Sequence, residues 1–370
     1  MSARPKKILF ICGSLNQTTQ MHQIANELPE YRKVFSPYYG NRDFDFLKSI
    51  GALEYTIGGH KLGKRCLNYL RDNDLPCEPG GALGDFDLAL HCSDLVWPKN
   101  LDGKPSLLVQ EGMTDPESVL FPVYKRLSKV LPGWVAGTSA FGLTNAYTKF
   151  CVASEGYKEL FTQRGCDPSK IIVTGIPNFD DCQSYANNDF PHHGYVLCCT
   201  SDVREVFWYE DRKTFLLDAV KIAKDRGKKL IIKLHPNEKL PRATDEIARW
   251  APEAIVYTSG NAEQMVANCD TLICKFSSLA YVGIALGKEV FSYFKLDDLK
   301  KLMPLQNKIG AKNIANVARQ LLGDAPRDYA AREPHAAAAQ PQLQAQLQAQ
   351  PQPQAREAAA PISYRSLGPS

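Results

Sequence analysis

KLIIKLHPNE (229–238) and ANCDTLICKFSSLAYVGIALGKEVFSYF (267–294) are the two segments whose reading decides the fold. Leu230, Ile231, Ile232 and Leu234 form a short apolar run that stops at His235-Pro236. Such a run, closed by proline, reads as a buried strand with a loop at its carboxyl end. Thr271 to Cys274 reads as a second strand, followed by Ser277-Ser278. The apolar segment Leu279 to Leu286, closed by Gly287, reads as a helix with hydroxyls at its start and glycine at its end. Glu289 to Phe294 reads as a third strand. Strand, polar loop, helix, strand is the unit of an open parallel sheet, where ligands sit beyond the carboxyl ends of the strands. His235 and Ser277-Ser278 share that edge and are expected to form one site for an anionic ligand.

Working outward, the 370 residues suffice for two domains. The 44 basic and 40 acidic residues nearly balance, which argues against a broad nucleic-acid surface. No apolar run is long enough to cross a bilayer, and MSARPKKILFICGS (1–14) reads as a first strand rather than a signal peptide. The 11 cysteines include no CxxC pair. Several, such as Cys12, Cys198, Cys199 and Cys274, fall in strand-like runs, so buried free thiols in a reducing compartment are expected.

Strands are expected at Lys7–Cys12, Phe86–His91, Ser106–Gln110, Lys149–Ala153, Ile171–Val173 and Tyr195–Thr200. Helical text lies between them at 21–28, 120–130, 155–163 and 212–225, with a last helix at 313–322. This alternation implies an α/β fold with parallel sheets. Gly13 and Ser14 follow the first strand, a common place to receive a phosphate, although taken alone these residues read first as a plain turn with helix caps. No GxGxxG or Walker A pattern demands NAD or ATP. Glu111, before Gly112, ends a strand where a carboxylate can act as a general base. The polar stretch 181–194 reads as a linker, with His192-His193 solvated. Residues 335–361 are Ala/Pro/Gln low complexity, for which disorder is expected.

VTGIPNFD (173–180), KLHPNE (233–238 with its preceding strand) and the strand–SS–helix–LGK unit occur in that order. This order resembles the GT-B superfamily of nucleotide-dependent glycan enzymes: capsule-type glycosyltransferases, CDP-glycerol glycerophosphotransferases and UDP-N-acetylglucosamine 2-epimerases. The resemblance covers 149–322 well and the first half loosely. It implies two Rossmann-like domains facing a cleft: 1–180 on the acceptor side, a linker 181–194, 195–323 on the nucleotide-donor side, and a low-complexity tail 324–370. It implies that His235, Ser277 and Ser278 contact the donor phosphates, with Lys275 and Arg204 as further cations. Gly13 and Ser14 are carried as additional donor-side contacts.

The departures narrow the reading. Lys275-Phe276 stands where the family carries an acidic residue before the serines. Leu279-Ala280-Tyr281 lacks the epimerases' glutamate pair. Gln110-Glu111-Gly112 stands where the glycerophosphotransferases carry His-Gly, so Glu111 takes the place of the base. The resulting expectation is a transferase moving a sugar or related group from a nucleotide-activated donor to a glycan or lipid-linked acceptor. It needs no cofactor and no metal, and works in the cytoplasm or at the inner face of a membrane. A nucleotide-sugar 2-epimerase and a non-catalytic nucleotide-binding protein of the same fold are the alternatives.

Overall fold

The structure, a computed structural model, describes residues 4–54, 56–114, 117, 121–127, 139–205 and 209–328. The chain forms two parallel sheets. The first holds β1 (Lys7–Cys12), β2 (Arg32–Pro37), β3 (Leu88–His91), β4 (Ser106–Val109), β5 (Lys149–Val152) and β6 (Ile171–Val173), in the order β2-β1-β3-β4-β5-β6. The second holds β7 (Val196–Cys199), β8 (Leu230–Lys233), β9 (Ile255–Tyr257), β10 (Thr271–Cys274) and β11 (Glu289–Phe291), in the order β11-β10-β7-β8-β9. Helices connect the strands, as parallel pairing requires.

The central strands follow the sequence expectation because they are buried along their whole length. β1, β3, β4, β7, β8 and β10 carry no exposed residue, which gives an uninterrupted apolar text. Two strands escaped that reading. β2 (RKVFSP) and β9 (IVY) are edge strands; part of β2 is buried and no residue of β9 is. The helix after β1 also begins earlier than expected, at Leu15 rather than Met21, with Ser14 as its cap. Its polar residues Gln17, Thr18 and Gln20 are buried toward the sheet, so the polar run belongs to the helix rather than to a loop.

In each sheet the strand order reverses direction beside the first strand, and a crevice opens at the carboxyl edge there. The reversal lies between β1 and β3 in the first sheet and between β7 and β10 in the second. Gly13-Ser14 follows β1, and Phe276-Ser277-Ser278 follows β10. The chain therefore delivers the expected loops to both reversal points.

One apolar cluster joins the halves, running from Phe150, Val152 and Phe161 through Phe179 and Tyr281 to Leu197 and Leu272. Inside it the hydroxyls of Tyr157 and Tyr281 lie 2.6 Å apart. The stretch 181–194, expected as a linker, is tied down at a few points while most of its residues stay exposed. Cys182 is buried, Asn188 pairs with Asn268, and His192 Nε2 meets the Tyr257 hydroxyl at 3.1 Å, while His193 is exposed. The last helix, Gly310–Leu321, was read with the second half, yet it packs on the first. Its Ile314, Ala315 and Ala318 join Ile8, Phe10, Met21 and Ile24 in one cluster. An apolar stripe on that helix fits this sheet face and buries there. Ten of the eleven cysteines are buried free thiols, with Cys77 exposed. The expected tail, from 329 onward, and the ends of the helical text 120–130 lie outside the described residues.

Asp180 holds the crossing segment in place. Its Oδ2 accepts the Gly310 N–H at 2.8 Å, and its carbonyl accepts the Lys308 N–H at 3.0 Å. Burial pushes its carboxyl up to about 6. The unfolded chain releases this proton near the ordinary value of 3.8, so stability falls as pH rises from about 4 to about 6 and stays lower above it. The expected loss is ~2–3 kcal/mol. Asp180→Asn keeps an acceptor for Gly310 and should remove this slope. Urea unfolding at pH 4.5 and 7.5 measures it, and an unchanged slope in the variant would contradict the assignment.

Candidate functional site

The first sheet's edge gathers three of the residues expected there. Ser14 caps its helix by accepting the Gln17 N–H at 3.2 Å. The same hydroxyl donates to Glu111 Oε1 at 2.8 Å. Gln17 Nε2 donates to Glu111 Oε2 at 2.6 Å. Each carboxylate oxygen therefore has a donor arriving over the end of β3. Gly13 makes room for this: a Cβ there would lie 2.0 Å from Gln17 Oε1. Ser14, expected among the donor contacts with Gly13, thus hydrogen-bonds Glu111, and Gly13 leaves room for Gln17 to do the same. Gln17 went unassigned from sequence; its signal was its position three residues after the cap, where side chains share a helix face.

The second sheet's edge meets the first one residue further on. Gly112 approaches Ser278 so closely that a Cβ would lie 2.8 Å from Ser278 Oγ and 3.2 Å from Phe179. Met113 N–H donates to Ser278 Oγ at 2.9 Å. Ser278 occupies the cap position of the helix Leu279–Ala285, but its hydroxyl does not turn back to cap it. Ser277 does this instead, accepting the Leu279 N–H at 3.3 Å. In both contacts the hydroxyl oxygen accepts, so each serine keeps its own proton to donate. Two O–H donors therefore stand beside Glu111-Gly112-Met113.

His235 lies at the carboxyl end of β8, and β7 separates it from β10. Two strand spacings are about 10 Å. Its backbone N–H donates to Thr200 Oγ1 and to Glu238 Oε2, both at 3.0 Å. Its Nδ1 accepts the Asn237 N–H at 3.3 Å and lies 3.5 Å from Asp202 Oδ2. A backbone N–H only donates, so the neutral ring carries its proton on Nε2. Burial lowers the imidazole's pKa against the pull of Asp202 and Glu238, so the ring is neutral near pH 7.

Arg204 and Lys275 were expected as cations for a ligand, but both are turned to carboxylates. Arg204 grips Glu246 with two bonds of 2.7 and 2.8 Å, which raises its pKa, and lies 3.4 Å from Glu210. Lys275 lies 3.2 Å from Glu210 and over the Phe215 ring; burial lowers its pKa. Arg212 joins the same cluster through Glu210 at 2.7 Å and through Glu238. Three cations and three carboxylates thus balance one another. The cluster braces the loop after β7 against the His-Pro-Asn-Glu loop, because Glu238 also receives the His235 N–H. Glu210 lies close in sequence to Arg204 and Arg212, but Glu246, Glu238 and Lys275 come from distant segments, which hides most of the pairing from a reading of local pattern.

Three Asp-x-Asp triplets bear on the expectation of no metal: Asp43–Asp45, Asp72–Asp74 and Asp85–Asp87. Asp85 and Asp87 pair with Lys7 and Arg4 at the amino end of β1, across the sheet from Ser14. Asp43 and Asp45 are exposed on either side of buried Phe44. Asp72 lies at the end of the helix His60–Asp72, paired with Arg71. Among the described residues no group of three or more His, Cys, Asp or Glu is placed to hold a metal ion.

No protein-family model matches the chain, and no curated protein sequence does. Solved structures do match. The UDP-GlcNAc 2-epimerase from Neisseria meningitidis bound to UDP-GlcNAc gives a TM-score of 0.54 at 13% identity, over 85% of this chain and 99% of that one. A putative UDP-N-acetylglucosamine 2-epimerase from Listeria monocytogenes gives 0.50 at 12% identity, over 86% and 88%. A glycosyltransferase from Rickettsia africae gives 0.46 at 11% identity, over 78% and 79%. At such identities the likeness is one of fold, and the fold is the two-sheet GT-B arrangement.

The Gly112–Ser278 approach makes a prediction of its own. Gly112→Ala should lower the thermal midpoint, at a cost of roughly 1–3 kcal/mol from overpacking. Adding Ser278→Ala should recover part of the loss by removing the crowding oxygen. A double variant no more stable than Gly112→Ala alone would show that the crowding lies elsewhere.

Proposed function

We propose that the protein transfers a glycosyl or related group from a nucleotide-activated donor to an acceptor hydroxyl. The observation that carries this reading is the meeting of the two carboxyl edges at Met113–Ser278, with Glu111 on one lip and the paired serine hydroxyls on the other. Glu111, oriented by Ser14 and Gln17, takes the proton of the acceptor hydroxyl. The acceptor oxygen attacks the activated carbon, and the bond from that carbon to the phosphate oxygen breaks. A nucleoside diphosphate leaves with the electron pair; for CDP-glycerol the acceptor oxygen instead attacks the phosphorus that carries the glycerol, the bond from that phosphorus to the bridging oxygen breaks, and CMP leaves as glycerol phosphate is transferred.

Charge on the leaving phosphate is met by O–H donors from Ser277 and Ser278 and by Nε2–H of His235. Fixed donors aimed at developing charge are worth more in a shielded site than in water. Arg204 and Lys275 act on this reading by bracing the donor-side loops. The donor is the substrate, and no cofactor is invoked. The acceptor is a glycan or a lipid-linked hydroxyl, reached from the cytoplasm at the inner face of a membrane. No helix among the described residues is long and apolar enough to cross one.

A second reading is 2-epimerisation of a nucleotide sugar, the activity for which the fold neighbours at TM-scores of 0.54 and 0.50 are named. Incubation with UDP-N-acetylglucosamine and no acceptor separates the two. Epimer formed under those conditions supports epimerisation, whereas turnover that requires an added acceptor supports transfer.

Thermal shift against UDP, CDP, GDP and dTDP nucleotides identifies the donor base, since a ligand of the folded state raises the midpoint. With that donor, Glu111→Gln should cut turnover by roughly 10²–10⁴-fold while keeping the thermal shift. His235→Ala should cut it by roughly 10²–10³-fold and weaken the shift. Full activity in both variants would overturn the assigned roles.

A further inference from the structure

The loop after β7 places a carboxylate that the reaction scheme above leaves without a task. Asp202 Oδ2 lies 3.5 Å from His235 Nδ1, and its side chain is about three-quarters covered. It is itself held by Asn237 Nδ2 at 2.9 Å. The same Asn237 presents its backbone N–H to His235 Nδ1 at 3.3 Å. One residue thus fixes both the imidazole and the carboxylate, and sets their facing edges. The ring's other nitrogen, Nε2, carries the proton in the neutral state.

We propose that Asp202 is a positioning residue for His235: by holding Asn237 it keeps Nε2–H toward the incoming phosphates, and it receives Nδ1–H when the ring takes up a second proton. This rests on the reading of His235 as a phosphate contact, and deepens it. In the neutral ring Nδ1 accepts from Asn237, and Asp202 stands by without a hydrogen bond to it. A phosphate dianion at Nε2 favours the imidazolium, drawing a proton from water onto Nδ1. That new N–H faces Asp202 Oδ2 and parts from the Asn237 N–H. Asp202 lets the ring become a cation in a place where burial otherwise keeps it neutral.

The groups acting on this ring come from every neighbouring element. Asp202 and Glu205 lie on the loop after β7, Glu238 on the ring's own loop, and Lys233 at the end of β8. Glu238 and Glu205 already have firm partners, in Arg212 and Arg242 respectively. Asp202 is the carboxylate whose only cationic contact among the described residues is His235 itself.

The test is the titration of the His235 ring by proton–nitrogen NMR in the full-length chain, with the signal assigned by its loss in His235→Gln. Asp202→Asn removes the charge and keeps an acceptor for Asn237. It should lower the His235 midpoint by roughly one pH unit and leave the buried His91 ring unchanged. A midpoint unmoved in Asp202→Asn overturns the proposal. Asp202→Glu, which restores the charge, should recover most of the shift, and a failure to do so in a folded variant also counts against it.

Inorganic pyrophosphate is the second probe. It should raise the midpoint in the native chain by more than in Asp202→Asn; an equal rise in both overturns the coupling. The ligand-free titration reads the Asp202–His235 contact alone. If no nucleotide shifts the thermal midpoint, the transferase reading fails while the contact can still stand.

Discussion

A parallel sheet sends the carboxyl ends of all its strands to one edge, and that single constraint organises this protein. Two such sheets are present, and their edges touch where Met113 N–H reaches Ser278 Oγ. Everything proposed to handle a ligand lies on loops leaving those edges: Ser14 after β1, Glu111 after β4, Asp202 after β7, His235 after β8 and the serines after β10. Gly112 is small because the edges meet there, and Gly13 is small because Gln17 folds back toward Glu111. The two glycines thus record close approaches rather than flexible turns.

Charge is spent in an unexpected place. Arg204, Arg212 and Lys275 balance Glu210, Glu238 and Glu246 inside the second half. Buried pairs of this kind add little net stability, because desolvation offsets attraction, but removing one partner leaves an uncompensated charge and is costly. The cluster therefore fixes loop geometry. A ligand at this edge meets hydroxyls and one imidazole rather than a row of bare cations. Its recognition depends on aim, and aim depends on the network behind it.

How much of this was legible follows from where the information lies. Strands buried on both faces announce themselves: all six residues of Lys7–Cys12 are covered, and the apolar text ends with the strand. Two of the four edge strands do not, since Arg32 and Lys33 of β2 break its apolar text and β9 has three residues with none buried. The strand ends were legible, and Ser14, Glu111 and Ser278 lie near one another because each follows one. Gln17 was missed because its polar neighbours read as loop, whereas the helix had already begun at Leu15. The occupation of Arg204 by Glu246, 42 residues away, has no local signature at all. The last helix was assigned by its order in the chain, while its apolar stripe found the first sheet.

That return of the chain bears on how the edges can move. The halves share the cluster around Phe150, Phe179 and Tyr281, and the Tyr157–Tyr281 hydroxyl pair sits inside it. The segment from Leu302 to Gly310 adds further ties, with Leu305 N–H on the Ala153 carbonyl and Gly310 N–H on the Asp180 carboxylate. A hinge needs few buried contacts across it, and this junction has many. At the carboxyl edges the halves also meet through the hydrogen bond from Met113 N–H to Ser278 Oγ. A phosphate that takes the Ser278 proton leaves this bond intact, because the serine oxygen still accepts from Met113. Ligand binding and contact between the edges then reinforce each other through one hydroxyl.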